Sequence, residues 1–376
     1  MADQVIHKGL EGVVVSTNAL TYIDGHAGKL MYRGYLIGDL AEQSTYEEVV
    51  WLLLHGELPN QRELAALKAE LVANRTIPEH LLTLLKLLPA DTNAMAALRT
   101  AVSMLALSDL ESEDNSEAAN RRKALRLVAK MATVVAAFER IRNGKEPVLP
   151  RPDLSHAANF LYMLNGEVPK ETMARVFDVC LILHADHEMN ASTFAARVTA
   201  STLSDIYSAV TAAIGTLKGP LHGGANTKVM EMLLEIQDPD NAEHWIKEAL
   251  ANKQRIMGFG HRVYKTEDPR ATVLRRLSRE LGEKQDSTRW YKISRTVEQE
   301  VLAQKGLYPN VDFYSASTYY LMGIRTDLYT PIFALARIAG WVANLLEQYA
   351  DNRLIRPDSE YIGPKERPYV PVNQRN

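Results

Sequence analysis

The chain has 376 residues, room for roughly two to three domains, and its 46% hydrophobic and 24% charged content is that of an ordinary globular protein with a large core. Its 43 Lys+Arg against 46 Asp+Glu give a net charge of −3, so no global basic excess points to nucleic acid, and any bound anion must be held by local clusters. The one cysteine, Cys180 in VCLIL, excludes an internal disulfide and a cysteine-based metal site and reads as a small buried hydrophobe.

The N-terminus, MADQVIHKGLEGVVV, lacks the continuous apolar run of a signal peptide. No stretch reaches the about 18 uncharged apolar residues of a membrane span. The expectation is a soluble cytoplasmic protein. The first 40 residues read as strands and turns: VVVSTNALTYI is β-branched, Asp24-Gly25 marks a turn, and KLMYRGYLI follows. Beyond that the chain reads as helix almost to its end. Ser44 with Glu47 forms a capping box ahead of VVWLLLHG, and Gly56 and Pro59 end that helix. Helices rich in Leu, Ala, Met, Glu and Lys are predicted near 61–74, 78–88, 94–107, 117–143, 154–165, 171–185 and 192–217. Pro147, Pro150 and Pro152 mark one loop, and Gly219-Pro220 marks a sharp break. Further helices fall near 225–236, 241–252, 270–284 and 287–304, with a loop over 253–269. TPIFALARIAGWVANLLEQ is a long apolar helix, and the tail from Pro357, with Pro364, Pro368 and Pro371, is expected to be extended. There is no internal repeat. The fold class is mainly α with a small N-terminal β element.

Several residues stand out chemically. His222 lies in GPLHGGAN at the start of a helix, where free N–H groups disfavour an imidazolium. A neutral histidine there suits hydrogen bonding to a developing enolate oxygen, although on local sequence alone a turn cap explains it better. His261 in GFGHRVYKTEDPR is flanked by Gly258 and Gly260 and followed by Arg262, Lys265 and Arg270, a pattern that suits an anionic ligand or an ordinary charged loop. No GxxxxGK[ST] is present. Asp312 in NVDFYS sits among apolar residues that would raise its pKa and make it a better base; its alternative is a helix N-cap. His184 and His187 in LILHADHEMNAST share a helix face at i, i+3 spacing. Without HExxH or a third ligand they read as one substrate-binding histidine and one packing histidine rather than a metal pair. Arg337 is set in an apolar helix with no acid nearby until Glu347, so it requires either a bound anion or a distant acid. Arg356, before Pro357, is a weaker candidate.

Together YIDGHAGKLMYRGY, ALRTAVS, LSHAANFLYMLNG, HADHEMNAST, LKGPLHGGAN, IMGFGHRVYKTEDPRA, PNVDFYS, IFALARIAGW and NRLIRP resemble the citrate synthase family, in the right order and nearly end to end. The length resembles the shorter bacterial and archaeal members. The resemblance implies a two-domain helical fold. Residues 1–223 and 323–376 would form the large domain, and residues 224–322 the small one, carrying the CoA loop, His261 and Asp312. It implies condensation of acetyl-CoA, as co-substrate, with oxaloacetate, and no tightly bound cofactor or metal. Asp312 would take the methyl proton, His222 would stabilise the enolate, and His261 would activate the oxaloacetate carbonyl. His187, Arg270, Arg337 and Arg356 match dicarboxylate-binding positions, with Arg356 reaching the other subunit of a homodimer. Ile256, Met257, Gly258, Phe259 and Gly260 match the CoA-holding backbone, with Lys265 as a phosphate partner. The N-terminal domain of longer, hexameric relatives is not expected, which favours a simple dimer. Met189 departs from the family pattern, where glycine is common. The near rival is 2-methylcitrate synthase, which uses propionyl-CoA. Rivals of another class are a metal-dependent hydrolase built on His184 and His187 and a non-catalytic helical scaffold. No partner among nucleic acids or membranes is expected.

Overall fold

The computed structural model describes residues 6–375; Met1 to Val5 at the start of the chain and Asn376 lie outside the described residues. The three strands are β1 (Thr21–Asp24), β2 (Lys29–Tyr32) and β3 (Tyr35–Leu36). They form an antiparallel sheet in sequence order, with Tyr22 opposite Met31 and Tyr32 opposite Tyr35. Asp24 makes the first turn, its Oδ1 accepting from the amides of His26 and Ala27 at 3.0 and 2.9 Å. The expected strand over VVVSTNALTYI forms only at its end. Val13 to Ser16 have no strand partner and instead line the large cavity described below.

The helices that follow are α1 (Ile37–Gln43), α2 (Tyr46–His55), α3 (Gln61–Asn74), α4 (Glu79–Leu87), α5 (Ala94–Leu105), α6 (Glu117–Arg142), α7 (His156–Asn165) and α8 (Glu171–His184). Next come α9 (Ala191–Ser201), α10 (Ile206–Leu217), α11 (Ala225–Ile236), α12 (Pro239–Ala251), α13 (Pro269–Lys284), α14 (Arg289–Lys305), α15 (Val311–Leu321) and α16 (Tyr329–Ala350). Their ends follow side-chain chemistry. Asn60 and Glu63 form a capping box on α3, and Asp268 caps α13 with Pro269 in its first turn. On α2 the box is Thr45 with Glu48, one residue later than the Ser44–Glu47 expectation. Ser44 ends α1, and Glu47 is buried, its Oε1 accepting from the His156 amide at 2.8 Å. The single helix expected over 192–217 is two, because Leu203 adopts a left-handed φ of 64° and Asp205 caps α10. The C-terminal tail is without regular structure except a short 3₁₀ turn at Val372–Gln374.

Helix α16 is the axis of the fold. It packs against α2, α6, α8, α9, α10 and α11. By length and composition Thr326–Ala350 would cross a membrane, but 94% of its apolar window is buried inside the protein. Gly340 lets it approach the chain after α8: its amide donates to the Ala185 carbonyl at 3.0 Å, and a Cβ there would overlap that oxygen. Cys180 is fully buried in the same core. Helices α11 to α15 pack mainly on one another and meet the rest through α1, α8 and α16.

Candidate active site

A cavity of about 1180 Å³ opens where these two groups of helices face each other. His187, His222, His261, Arg270, Asp312 and Arg337 line it together with Ile256 to Gly260. Residues far apart in sequence are therefore brought to one space. The loop before His261 is tied to the segment before α15. Gly260 donates to the Tyr308 carbonyl at 2.9 Å, Asn310 donates to the Gly258 carbonyl at 2.9 Å, and the Asn310 side chain donates to the Gly260 carbonyl at 3.1 Å.

Asp312 lies in the first turn of α15 and is not its cap; Asn310 is, its Oδ1 accepting from the Asp312 amide at 3.0 Å. Asp312 is 9% exposed, and its buried Oδ1 has no hydrogen-bond partner. Burial pushes its pKa up to about 7, against the opposing pull of Arg270 and Arg337. The helix N-terminus also favours the anion, but desolvation prevails.

His222 lies in the turn before α11, whose first residue is Ala225. The helix terminus that reaches its ring belongs to α9: the Ser192 amide donates to Nε2 at 3.2 Å, and the Ser192 hydroxyl lies 2.8 Å from the same nitrogen. A backbone N–H can only donate, so Nε2 is bare and the neutral ring carries its proton on Nδ1. Burial, helped by Arg337, lowers its pKa to about 4. Trp341 Nε1 donates to the Ser192 hydroxyl at 3.1 Å and holds it in place. Sequence reasoning missed Ser192. Its only local signal is the Asn190 N-cap two residues earlier.

His261 is fixed in the same way with the opposite tautomer. Its Nδ1 accepts from the amides of Val263 and Tyr264 at 3.0 and 3.2 Å, which leaves the proton on Nε2. Burial, with Arg270 next, lowers its pKa to about 4. The cavity thus holds the buried Asp312 carboxyl and, besides His187, two neutral imidazoles whose tautomers the backbone fixes, His222 with its N–H at Nδ1 and His261 with its N–H at Nε2.

Arg270 and Arg337 supply buried positive charge. Arg270 forms a bidentate pair with Asp268, at 3.0 and 2.7 Å, from within the first turn of α13. Arg337 is 1% exposed and has no carboxylate within ion-pair distance among the described residues. Its Nε donates to the His184 carbonyl at 2.7 Å, and its guanidinium lies 4.7 Å from the Phe333 ring centre. Burial lowers the Arg337 pKa to about 10, opposed mainly by the negative charge of the buried Asp186. The remainder of the fork faces the cavity, where a carboxylate would satisfy it.

His184 and His187 do not share a helix, because α8 ends at His184. His184 is buried, its Nδ1 2.8 Å from the Cys180 carbonyl and its ring edge-on to Phe333. His187 turns into the cavity. Among the described residues no group of three His, Cys, Asp or Glu side chains is placed to hold a metal. Two candidates lie elsewhere. Lys265 does not line the cavity, and its Nζ is 3.4 Å from the Arg262 carbonyl; Arg255 and Arg262 line it instead. Arg356 is on the surface, paired with Asp358 at 2.8 Å. Gly9 to Ser16, also unforeseen from sequence, cross one side of the cavity, with Val14 90% exposed.

Comparison with known proteins bears on family and fold. The family model "Citrate synthase, C-terminal domain" matches residues 9–358. A citrate synthase of Haloferax volcanii is 53% identical over 98% of this chain and 99% of its own. A 2-methylcitrate synthase of Mycobacterium tuberculosis is 46% identical over 96% of this chain and 92% of its own. The crystallised citrate synthase of Thermoplasma acidophilum, in a ternary complex with carboxymethyl coenzyme A and oxaloacetate, superposes with a TM-score of 0.93 at 38% identity, covering 99% of this chain and 100% of that one. The chain belongs to the citrate synthase family, the acyltransferases that condense acetyl-CoA with oxaloacetate.

Proposed function

We propose that this cavity condenses acetyl-CoA with oxaloacetate and then hydrolyses the citryl-CoA formed. The observation that carries the reading is the complementary protonation of Asp312, His222 and His261. A partnerless buried carboxyl faces two imidazoles whose bare nitrogens are already occupied by backbone amides. Asp312 takes a proton from the acetyl methyl. His222 donates its Nδ1–H to the thioester oxygen as charge develops there, which a weakly acidic methyl requires. His261 donates its Nε2–H to the oxaloacetate carbonyl that the enol attacks. Arg270, Arg337 and His187 hold the two carboxylates, and the backbone of Ile256 to Gly260 holds the CoA arm. Water then cleaves the thioester, releasing citrate and CoA.

The assembly follows from the same reading. Residues 224–322 act as a small domain that closes on 1–223 and 323–376, excluding water until the new bond exists. The enzyme works in the cytoplasm as a homodimer, with Arg356, exposed on the single chain, completing the partner's dicarboxylate site. CoA thiol release, measured with acetyl-CoA and with propionyl-CoA, is expected only when oxaloacetate is also present, and faster with acetyl-CoA. No thiol release would refute the catalytic reading. A preference for propionyl-CoA would assign the 2-methylcitrate reaction instead, which the Mycobacterium relative's name makes the second reading. One methylene in an apolar pocket is worth only about 1–3 kcal/mol.

A further inference from the structure

Tyr264 stands behind the cavity wall rather than in it. It is 4% exposed and does not line the cavity, yet it touches two of the imidazoles that do. The rings of His187, His261 and Tyr264 meet pairwise, with centroids 5.1 Å apart for the two histidines, 4.7 Å for His261 and Tyr264, and 5.7 Å for His187 and Tyr264. Two different parts of Tyr264 make polar contact. Its amide is one of the two donors to Nδ1 of His261, at 3.2 Å, and its hydroxyl lies 3.4 Å from Nε2 of His187. The backbone here is fixed from outside: Lys265 donates to the Gly25 carbonyl at 2.8 Å, and a Cβ on Gly25 would overlap the Val263 carbonyl oxygen.

The groups around His187 leave this hydroxyl a distinct task. The charges of Arg270 and Arg337 disfavour protonation of the ring, neutral His261 packs edge-on against it, Asp186 and Glu188 flank it in sequence, and Asp312 lines the same cavity. Among the described residues the Tyr264 hydroxyl is the side-chain group at hydrogen-bond distance from its Nε2. Burial raises the phenol's pKa, so it keeps its proton.

We propose that Tyr264 is a positioning residue serving both rings, its amide setting the tautomer of His261 and its hydroxyl setting the orientation of His187. One residue then aligns the histidine that activates the oxaloacetate carbonyl with the histidine that holds a carboxylate. The inference rests on the reading of this cavity as an oxaloacetate site. It separates the two roles, because side-chain substitution leaves the amide in place.

Steady-state kinetics of Tyr264→Phe, His187→Gln and the double variant test it, with calorimetric titration of oxaloacetate into each protein. In Tyr264→Phe the KM for oxaloacetate is expected to rise about fivefold, the value of one neutral hydrogen bond. Its kcat should stay within about twofold, and its KM for acetyl-CoA should not move. In the His187→Gln background the same change should alter the oxaloacetate KM by less than about twofold, because the partner is gone. Tyr264→Leu, which also removes the ring behind His261, should lower kcat as well. An unchanged oxaloacetate KM in Tyr264→Phe, equal effects in both backgrounds, or a parallel rise in both substrates' KM would each overturn the inference. Failure of the wild-type protein to bind oxaloacetate would instead overturn the function on which it rests.

Discussion

Replacing Asp312 with asparagine should make the protein more stable and inactive at once. The residue is 9% exposed with a buried, unpartnered Oδ1, and its carboxyl pKa is raised from the ordinary 3.8 to about 7, chiefly by burial. A carboxyl with a folded pKa above its unfolded one holds its proton more tightly in the folded state. Folding stability therefore falls as pH rises from near 3.8 to about 7, and the full cost remains above that. At about 1.4 kcal/mol per pH unit, the cost of the ionised group is about 4 kcal/mol. Asparagine has nearly the same shape and never ionises. Its advantage over the wild type should widen by about 2–3 kcal/mol between about pH 5 and about pH 8. Denaturant unfolding at the two pH values measures this, with thiol release recorded on the same samples and oxaloacetate binding followed by calorimetry. The variant should bind oxaloacetate and turn over at least about 1000-fold more slowly. A stability gap that does not grow with pH would show that the carboxylate is not desolvated. Near-normal turnover would remove Asp312 as the base.

The remaining expectations concern the groups around it. The kcat/KM for acetyl-CoA should fall about tenfold per pH unit below about 7, because only ionised Asp312 is a base. His222 and His261, lowered to about 4, should add no second limb above about pH 5, and a limb near the ordinary carboxylate value would refute this assignment. Ser192→Ala removes the hydroxyl between Trp341 and His222; kcat should drop about tenfold with oxaloacetate affinity intact, as kinetics and calorimetry would show. Arg337→Lys loses both the Nε donor to the His184 carbonyl and the planar fork. The KM for oxaloacetate should rise about 100-fold, with little change for acetyl-CoA; equal effects on both substrates would argue for general unfolding instead.

Sequence reasoning reached the fold where local chemistry was unambiguous. Helix α3 was readable from its run of helix formers, and its observed bounds, Gln61–Asn74, coincide with the expectation; the Asn60–Glu63 box that starts it was not read. Elsewhere two answers competed one residue apart. Ser44–Glu47 and Thr45–Glu48 offer the same box, and burial of Glu47 beneath the His156 amide decided between them. Val13 to Val15 carry strand propensity but find no partner strand, so propensity alone misled. The site divides along the same line. Asp312, His222 and His261 were visible through their glycine and apolar surroundings and the ordered family motifs. The donors that fix the two rings were not, because Ser192 lies 30 residues from His222, and the amides of Val263 and Tyr264 leave no mark in a sequence. Arg337 stood out by itself, since a guanidinium amid apolar neighbours calls for a counter-charge; the choice between a bound anion and a distant acid needed the structure, which places no carboxylate within ion-pair distance among the described residues.

The contact between Gly25 and the Val263–Lys265 backbone has a consequence for biogenesis. The first hairpin leaves the ribosome about 240 residues before the loop it grips. Until that loop is made, the turn at Gly25 has nothing to hold. Joining segments so distant carries a large loop-closure cost that local helices do not bear. Helix content should therefore plateau before catalytic competence on refolding. Deleting the hairpin should leave a helical but inert protein, with the active loop the last part of the molecule to mature.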